Sequence, residues 1–503
     1  MDTLYQMTNK FFGLLSMYFG MLLGLASIWL VALIYSFFGW LHFNPLEMIV
    51  SLAVLMVSAG MASWLCGAAF GVRAHGISSM ITAFILALIF TPTLELNGLL
   101  TLVLVGILAG ASKYILAFRG RHIFNPAAVA AVIIGFTSLG SASWWVATPL
   151  LAWVVLATAL VAVYKSKQWR IFLTFLAVST SLLSIILLQN DVPFFDIPLL
   201  LLSWPFLFLG GIMLTEPLTL PSRKWQLYAE GALVGVLAAV PFQVGWFEMN
   251  PETALLVGNI FAAIVARRRA VWLTFKSRRS LTPTTQELVF EPSVPVRFKP
   301  GQSMELTLPL AKMDFRGERR SFSVTSLPGA DKVTFGVKFY HPSSAFKKAL
   351  KTIKKGTVLA VANYGGDFVL PADTTKPLLF VAGGIGVTPF ISQLKAVKQA
   401  REERDITVVY CISSADELAY QKVLEKSGAN IVIISPEKPK SMPKNWKYVK
   451  GSRLTETTLE KALTDVHRRH AFISGPPPFV RSVRSLLRKN GIRRVHADYF
   501  VGY

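Results

Sequence analysis

Residues 251–269 read Pro251-Glu252-Thr253-Ala254-Leu255-Leu256-Val257-Gly258-Asn259-Ile260-Phe261-Ala262-Ala263-Ile264-Val265-Ala266-Arg267-Arg268-Arg269. An apolar helical run stops on three arginines, and the chain differs in kind on the two sides of that stop. Upstream, apolar segments follow one another with almost no charge inside them. Downstream, charges, glycines and short alternating runs take over, as in a soluble nucleotide enzyme. The whole chain reflects both: 503 residues, 53% hydrophobic, net charge +23 and a mean hydropathy of +0.50. That length suits about three domain-sized units. Fusing the two halves points to a protein that moves electrons between a cytoplasmic cofactor and a membrane.

Upstream, about ten apolar stretches centre near residues 26, 58, 85, 106, 132, 155, 179, 205, 236 and 260. Crossing a roughly 30 Å hydrocarbon layer takes about 20 helical residues. The stretches near 85, 132 and 260 are short and read as tilted or broken helices. Lys10, Arg73, Lys113–Arg121, Lys165–Arg170, Arg223–Lys224 and Arg267–Arg269 mark alternate connections. The connections between carry acids only: Glu47, Glu95, Asp191, Asp196, Glu248 and Glu252. Lys and Arg concentrate in cytoplasmic loops, so the alternation predicts a multi-pass inner-membrane protein with both termini in the cytoplasm. Met1 to Lys10 lacks a basic region followed by a small-residue cleavage site, so the first helix is expected to be retained.

Pro92 precedes Asn125-Pro126 by 33 residues, and Pro217 precedes Asn250-Pro251 by the same 33, an offset of 125 residues. Five spans separate the copies. An odd number inverts the second copy, giving a 5+5 inverted repeat that places sites near the midplane. Intramembrane polar residues are expensive and mark function; Lys113, His122, Asn125, Thr215, Glu216 and Asn250 are the candidates. The amino ends at the Asn-Pro sites are suited to a phosphate or a flavin carbonyl.

Three segments fall in order: Arg121-His122-Ile123-Phe124-Asn125-Pro126-Ala127-Ala128, Trp144-Trp145-Val146-Ala147-Thr148-Pro149-Leu150 and Leu214-Thr215-Glu216-Pro217-Leu218-Thr219. Over about residues 45–265 the chain resembles the D and B membrane subunits of the Rnf complexes and of the sodium-pumping NADH:quinone reductase. The resemblance implies a threonine that carries FMN through a phosphoester on the outer face, and Thr148 matches it. Where the family has Asp-Gly and Ser-Gly before the threonine, this chain has Ser143-Trp144-Trp145-Val146. A flavin (FMN or riboflavin), covalent or noncovalent, is expected in the membrane half, with Thr148, Trp145, His122, Asn125 and Thr215 as its contacts. Haem is argued against by His42, His75 and His122, no two on one helix. Two cysteines, Cys66 and Cys411, supply no four-cysteine iron–sulfur set and no metal pattern.

After a basic linker at 267–280 come short alternating runs at Gln286–Phe290, Ser303–Leu308, Val333–Phe339 and Thr357–Val361, with turn signals at Pro300-Gly301 and Pro328-Gly329. That is a small β-barrel. From Pro377 the rhythm becomes strand, loop, helix, with strands at Leu378–Val381, Thr407–Cys411, Ile431–Ile434 and His470–Ser474, the βαβ pattern of a nucleotide-binding layer. The domains are therefore 1–266 (membrane), 281–373 (barrel) and 374–503 (α/β).

Arg320-Ser321-Phe322-Ser323, Gly383-Gly384-Ile385-Gly386-Val387-Thr388-Pro389 and, about ninety residues on, Ser474-Gly475-Pro476-Pro477 carry the chemistry. Glycines admit a pyrophosphate to backbone N–H groups at a helix start, and guanidinium binds phosphate bidentately. In this order the motifs are similar to those of the ferredoxin–NADP reductase superfamily, over nearly all of 280–503. The resemblance implies FAD held by Arg320 at its pyrophosphate, Phe322 beside the flavin ring and Ser323 at the reactive nitrogen. Ser343 or Ser344 would cap a helix at the second phosphate. It implies NAD(P)H against Gly383, Gly384, Gly386, Thr388, Pro389, Gly475 and Pro476, with Ser474 where the family has cysteine. The tail His496–Tyr503, including Phe500, would close over the isoalloxazine. Asp416 and Glu417, after the strand ending at Cys411, suit a ribose diol and favour NADH, while Lys422 keeps NADPH open.

The expected function is a membrane-bound NAD(P)H oxidoreductase delivering electrons to a quinone or an extracytoplasmic acceptor. The alternatives are an electron-driven ion pump and a flavin or small-molecule transporter with a regulatory nucleotide domain. The lysines at 347, 348, 351, 354 and 355 lack aromatic interleaving and read as a face toward anionic lipid rather than nucleic acid.

Overall fold

The structure is a computed structural model. It describes the chain except residues 1–15, 73–74, 119–120, 222, 241, 245–246, 267–270, 311–313, 315–316, 341–342, 464, 493 and 501–503. It divides into two compact units, with a boundary between Arg269 and Ala270. Arg73, Arg119, Arg267 to Arg269 and the last three residues of the tail lie outside the described residues.

The first unit is helical: α1 (Met17–Phe37), α2 (Pro45–Ala69), α3 (Gly76–Ile89), α4 (Leu96–Ile115), α5 (Pro126–Gly135), α6 (Pro149–Ser166), α7 (Trp169–Gln189), α8 (Ile197–Ser203), α9 (Lys224–Ala239) and α10 (Pro251–Ala266). Five of these, α1, α2, α4, α6 and α7, are long and apolar enough to cross a membrane, which is fewer than the ten spans expected. α3, α5 and α10 are shorter apolar helices. α8 breaks at Trp204-Pro205 and continues as a short turn, Phe206–Phe208, and a wide π-turn, Leu209–Met213.

The packing scheme of the first five helices recurs in the second five. α2 packs on α4 as α7 packs on α9, and α4 on α5 as α9 on α10; α1 meets α6, and α5 meets α10. Small residues set the closest approaches. Gly106 and Gly110 of α4 lie against Ser58, Ala59 and Ser63 of α2. Gly231 and Gly235 of α9, each 125 residues later, lie against Ile171, Phe175 and Val178 of α7.

The second unit begins with strand β1 (Val271–Ser280), where a linker was expected. Val271, Leu273 and Phe275 alternate into the core while Lys276, Arg278 and Arg279 face outward; the basic cluster masks that alternation in the sequence. β2 (Thr285–Pro292), β3 (Ser303–Thr307), β4 (Arg319–Ser323), β5 (Val333–Lys338) and β6 (Val358–Gly365) complete an antiparallel sheet ordered β4-β3-β6-β1-β2-β5. A bridge between Val324 and Phe335 joins its two ends into a barrel. Helix α11 (Ala345–Thr352) lies between β5 and β6.

The α/β layer follows: β7 (Leu378–Gly383), α12 (Thr388–Gln399), β8 (Ile406–Cys411), α13 (Gln421–Glu425), β9 (Asn430–Ser435), β10 (Lys447–Lys450), α14 (Glu456–Ala462), β11 (His470–Gly475), α15 (Pro477–Lys489) and β12 (Val495–Tyr499). All pairings are parallel, in the order β10-β9-β8-β7-β11-β12. β7 is buried at every position, as a central parallel strand covered on both faces must be.

Candidate functional site

From β7 the chain winds outward through β8, β9 and β10, then returns to the other side of β7 with β11. The winding reverses between β7 and β11, and in open parallel sheets the crevice outside such strand ends is the ligand site. Two glycine motifs meet there. Gly384 adopts φ +54°, and Thr388 opens α12 with its hydroxyl donating to the Ile385 carbonyl at 2.9 Å. A β-carbon on Gly386 would run into the Ser474 carbonyl and lie 2.8 Å from Gly475 Cα; one on Gly383 would lie 2.7 Å from the Phe479 ring. These glycines are required by close backbone approach. Pro389 sits in the first turn of α12 and Pro476 immediately precedes α15.

Ser474 is fully buried, and its hydroxyl has no hydrogen-bond partner among the described residues. An unpaired buried hydroxyl is costly. The Phe500 N–H donates to the Gly475 carbonyl at 3.0 Å, so the described part of the tail does arrive at this crevice. Cys411, at the end of β8, is a buried thiol pushed up to about 12 by burial, too high for nucleophilic chemistry.

On the barrel, Arg320 is buried, donates to the Gly317 and Arg319 carbonyls at 3.2 and 2.6 Å, and lies 5.5 Å from the Phe346 ring centroid. Ser344 caps α11, accepting from the Lys347 N–H at 3.3 Å, and the Ser343 hydroxyl donates to the Tyr340 carbonyl. Sequence reading missed Asp314. Its carboxylate accepts from the Ala345 N–H at 2.9 Å and stands 3.9 Å from Arg320. A negative group thus already sits where guanidinium and helix amino end converge, the arrangement a pyrophosphate would use.

Phe322 is buried in the barrel core between Phe335 and Phe346, at ring separations of 6.2 and 6.0 Å, turned inward by the alternation of β4. Ser323, next to it, is buried and pairs with Ser303. Lys347 is not part of an exposed basic face: its ammonium donates to the Lys338 carbonyl at 2.6 Å and lies over the Tyr340 ring, leaving Lys348, Lys351, Lys354 and Lys355 exposed.

Barrel and α/β layer are tied by contacts absent from the sequence reading. Glu417 accepts from Thr282 at 3.1 Å and Thr284 at 2.8 Å and pairs with Lys338 at 3.1 Å. Burial opposes its ionisation, but these three partners outweigh burial and hold the carboxyl below its ordinary range. Glu417 is therefore committed to the barrel, and of the two acids expected at a ribose diol only the exposed Asp416 keeps that role open. Lys395 adds a donation to the Thr325 carbonyl at 2.8 Å, and the Gly301 N–H donates to Ser392 at 2.9 Å.

In the helical unit, four of the watched residues converge. His122 Nε2 lies 3.2 Å from Glu216 Oε1, and Asn125 Nδ2 donates to Glu216 Oε2 at 3.1 Å. Asn125 Oδ1 caps α5 through the Ala127 and Ala128 N–H groups, and Asn259, unremarked in the sequence, accepts from the Asn125 N–H at 2.8 Å. Asn125, Thr215 and Glu216 line a cavity with Ser78, Thr82 and apolar side chains. Lys113 donates to both Ser78 oxygens at 3.1 Å. Asn250 caps its own helix through Thr253.

Thr148 and Trp145 lie elsewhere in this unit. The Trp145 indole N–H donates to the Ala87 and Phe90 carbonyls at 3.0 and 2.9 Å, capping the end of α3. Trp144, at φ +50°, donates to Glu252 at 2.8 Å. The Thr148 hydroxyl is buried without a partner among the described residues. Trp144, Trp145 and Val146 carry no positive charge beside Thr148, whereas the lining of the Asn125 cavity is mostly apolar with a few convergent polar groups.

Residues 380–485 match the family model described as an oxidoreductase NAD-binding domain. The chain is similar to the reductase component of propane 2-monooxygenase from Rhodococcus jostii, 27% identical over 42% of this chain and 58% of that protein. It is also similar to the electron transfer component of 2-halobenzoate 1,2-dioxygenase from Burkholderia cepacia, 27% identical over 42% and 60%. A flavohemoprotein of Oceanobacillus iheyensis is 24% identical over 36% and 46%. The chain thus spans about half the length of these curated relatives. Among solved structures, a ferredoxin NADP+ reductase from Neisseria gonorrhoeae with bound FAD and NADP aligns at 17% identity over 47% of this chain and all of that one, with a TM-score of 0.39.

Proposed function

We propose that this chain is an NAD(P)H oxidoreductase of the cell membrane, taking electrons from cytoplasmic NAD(P)H and delivering them through its helical unit to a quinone or an extracytoplasmic acceptor. Its carboxyl-terminal half is an NAD(P)H-dependent flavoprotein oxidoreductase module of the ferredoxin-reductase type. The membrane route is what this reading adds, and the observation that carries it is the coexistence, in one chain, of the Gly383–Gly386/Ser474–Gly475 crevice with a helical unit containing a mostly apolar cavity that a few polar groups, Asn125 and Glu216 among them, line. The relatives' names describe reductase or electron transfer components of oxygenases; here the five long apolar helices suggest that the acceptor side is built into the chain.

FAD, when bound, supplies hydride acceptance and one-electron release. The protein's contribution is placement. Arg320 and the amino end of α11 would hold the pyrophosphate, and Gly383, Gly384 and Gly386 would let the dinucleotide reach the backbone of α12. Ser474 would offer its free hydroxyl beside the nicotinamide, Phe500 would close the crevice, and Asp416 favours NADH. In the membrane unit Asn125, Thr215, Glu216 and His122 would contact a second, noncovalent flavin, FMN or riboflavin. The recurring helix packing and the 125-residue spacing of both the Asn-Pro and the Gly pairs support an inverted 5+5 repeat around it, with both termini cytoplasmic.

Purified full-length protein in detergent should carry two flavins per chain, and anaerobic NADH should bleach their visible absorbance. Colourless protein, or flavin indifferent to NADH and NADPH alike, overturns the reading. The inverted repeat also favours an electron-driven ion pump; sodium-dependent NADH oxidation in sealed proteoliposomes would select it.

A further inference from the structure

The α/β layer carries a basic groove outside the contacts proposed for FAD and for the dinucleotide. Arg481, Arg484, Ser485, Arg488 and Lys489 of α15 and Tyr499 of β12 line an open depression of about 610 Å³, a volume in the range of small-molecule sites. That lining includes no carboxylate, and α15 has no acid anywhere along its length.

One face of α15 explains its fold: Val480, Val483 and Leu487 are buried in the core of the layer. The other face works against it. Arg481 and Arg484 stand three residues apart and Arg484 and Arg488 four, spacings at which like charges repel on a helix surface. Arg488 and Lys489 lie in the last turn, where cations complement the helix dipole. Arg481 and Arg484 lie nearer the amino end and gain nothing from it. Arg484 is further constrained. Its Nη1 donates to the Tyr499 hydroxyl at 3.4 Å, while its Nε is sealed from water without a partner among the described residues. A basic face kept only for solubility needs neither a concavity nor a guanidinium nitrogen taken out of water, which is costly.

An anion in the groove would offset both the repulsion and that cost. The four cations run over eight residues of helix, about 12 Å, long enough for two or more phosphates side by side. Guanidinium groups match phosphate oxygens bidentately, and a lysine adds a point charge. We propose that this groove binds phosphate-bearing polyanions, either the phosphates of a soluble polyphosphate or nucleotide or adjacent headgroups of anionic lipid. Lys489 is twelve residues along α15 from Pro477, which follows the crevice motif, a distance of about 18 Å. The groove is therefore a site apart from the dinucleotide crevice. No electron moves in it, so it stands or falls independently of the electron route.

Calorimetric titration of the full-length protein in phosphatidylcholine nanodiscs tests this without turnover. Inorganic tripolyphosphate should bind the wild type saturably, and saturating NADH should leave that binding unchanged. Arg484→Gln and Arg488→Gln should each weaken it by about ten- to a hundredfold, the worth of one charge-assisted contact. Lys354→Gln/Lys355→Gln removes charge from another part of the surface; at 0.15 M salt, where screening acts beyond about 8 Å, its affinity should stay within about twofold of wild type. No saturable binding by the wild type, binding that both arginine variants keep, an equal loss in the lysine variant, or displacement by NADH overturns the proposal. Arg488 is exposed, so Arg488→Gln decides the matter should Arg484→Gln fail to accumulate. Once binding is established, native mass spectrometry of protein taken from phosphatidylglycerol discs separates the two sources. Phosphatidylglycerol held by the wild type and lost from Arg488→Gln assigns the groove to lipid headgroups, and equal retention assigns it to a soluble phosphate.

Discussion

Glu417 of the α/β layer lies 3.1 Å from Lys338 of the barrel, both side chains nearly buried, with Thr282 and Thr284 donating to the same carboxylate. This acid helps to fix the nucleotide-binding layer against the barrel, together with the Lys395–Thr325 and Gly301–Ser392 contacts. Glu417→Ala leaves Lys338 buried and unpaired, at a cost of about 3 kcal/mol. The expected result is retained FAD, an NADH KM within about threefold of wild type, and a rate constant for NADH-driven flavin reduction lowered by about tenfold or more, as loss of orientation produces. Stopped-flow absorbance separates these; a pure KM effect would make Glu417 a ribose contact instead.

Asp314 stands 3.9 Å from Arg320 and accepts from the amino end of α11, so it competes with an incoming pyrophosphate for both. Asp314→Asn should tighten FAD binding by about three- to tenfold, while Arg320→Ala should weaken it by about ten- to a hundredfold, the worth of one or two charge-assisted hydrogen bonds. Titrating flavin-free protein by flavin fluorescence measures both. Weaker binding in Asp314→Asn would mean that the carboxylate orients Arg320 rather than blocking it.

At the crevice, Gly386→Ala would push a methyl group into the Ser474 carbonyl, an overpacking cost of about 1–3 kcal/mol. FAD, bound on the barrel, should remain, whereas NADH should lose most of its ability to bleach it. Ser474→Ala removes a buried hydroxyl with no partner among the described residues; stability should hold or rise by up to about 1 kcal/mol while the reduction rate falls. A parallel loss of both would make the serine structural.

Arg469, 7% exposed, holds Asp405 through a fork at 2.9 and 2.8 Å and Asp465 through its Nε at 3.0 Å. Its hydrogen bond holds the Asp465 carboxyl below the usual range, against a smaller opposing effect of burial. A carboxyl lowered on folding stabilises the fold above its unfolded value, about 3.9, and loses that contribution as pH falls through its folded value. The unfolding midpoint of the α/β layer should therefore be flat from about pH 5 to 8 and drop below about pH 4. Arg469→Lys, which cannot fork, should cost about 2–4 kcal/mol at neutral pH, seen in thermal unfolding followed by circular dichroism.

Patterned features were legible in the sequence. The strands at 378–383, 406–411, 430–435 and 470–475 follow from short apolar runs between turn signals, and the glycine motifs from their place after β7 and β11. β1 was hidden because Lys276, Arg278 and Arg279 look like a linker when the inward Val271, Leu273 and Phe275 are not read with them. Phe322 was placed by resemblance, and only the pairing of β4 shows which way its ring points. Glu417, Asp314 and Asn259 act through partners 31 to 135 residues away, and no local pattern announces such pairs. The Gly231/Gly235 pair was visible as single letters; its meaning came from what lies against it.

In the proposed function, Thr148 decides whether a flavin of the membrane unit would be held by a covalent bond. Its hydroxyl is buried, and attachment needs an oxygen that a transferase can reach. The neighbouring indoles are spent on Glu252 and on the end of α3, so opening the segment would break at least three hydrogen bonds, about 1 kcal/mol or more each. Denaturation and filtration of the purified protein should therefore release all flavin into the filtrate, and Thr148→Ala should leave the flavin content unchanged. Asn125→Ala removes both the cap of α5 and the partner of Glu216, and should lose the membrane flavin while the barrel keeps its FAD. Flavin that stays with the denatured chain, and vanishes in Thr148→Ala, would move the second cofactor to the other site.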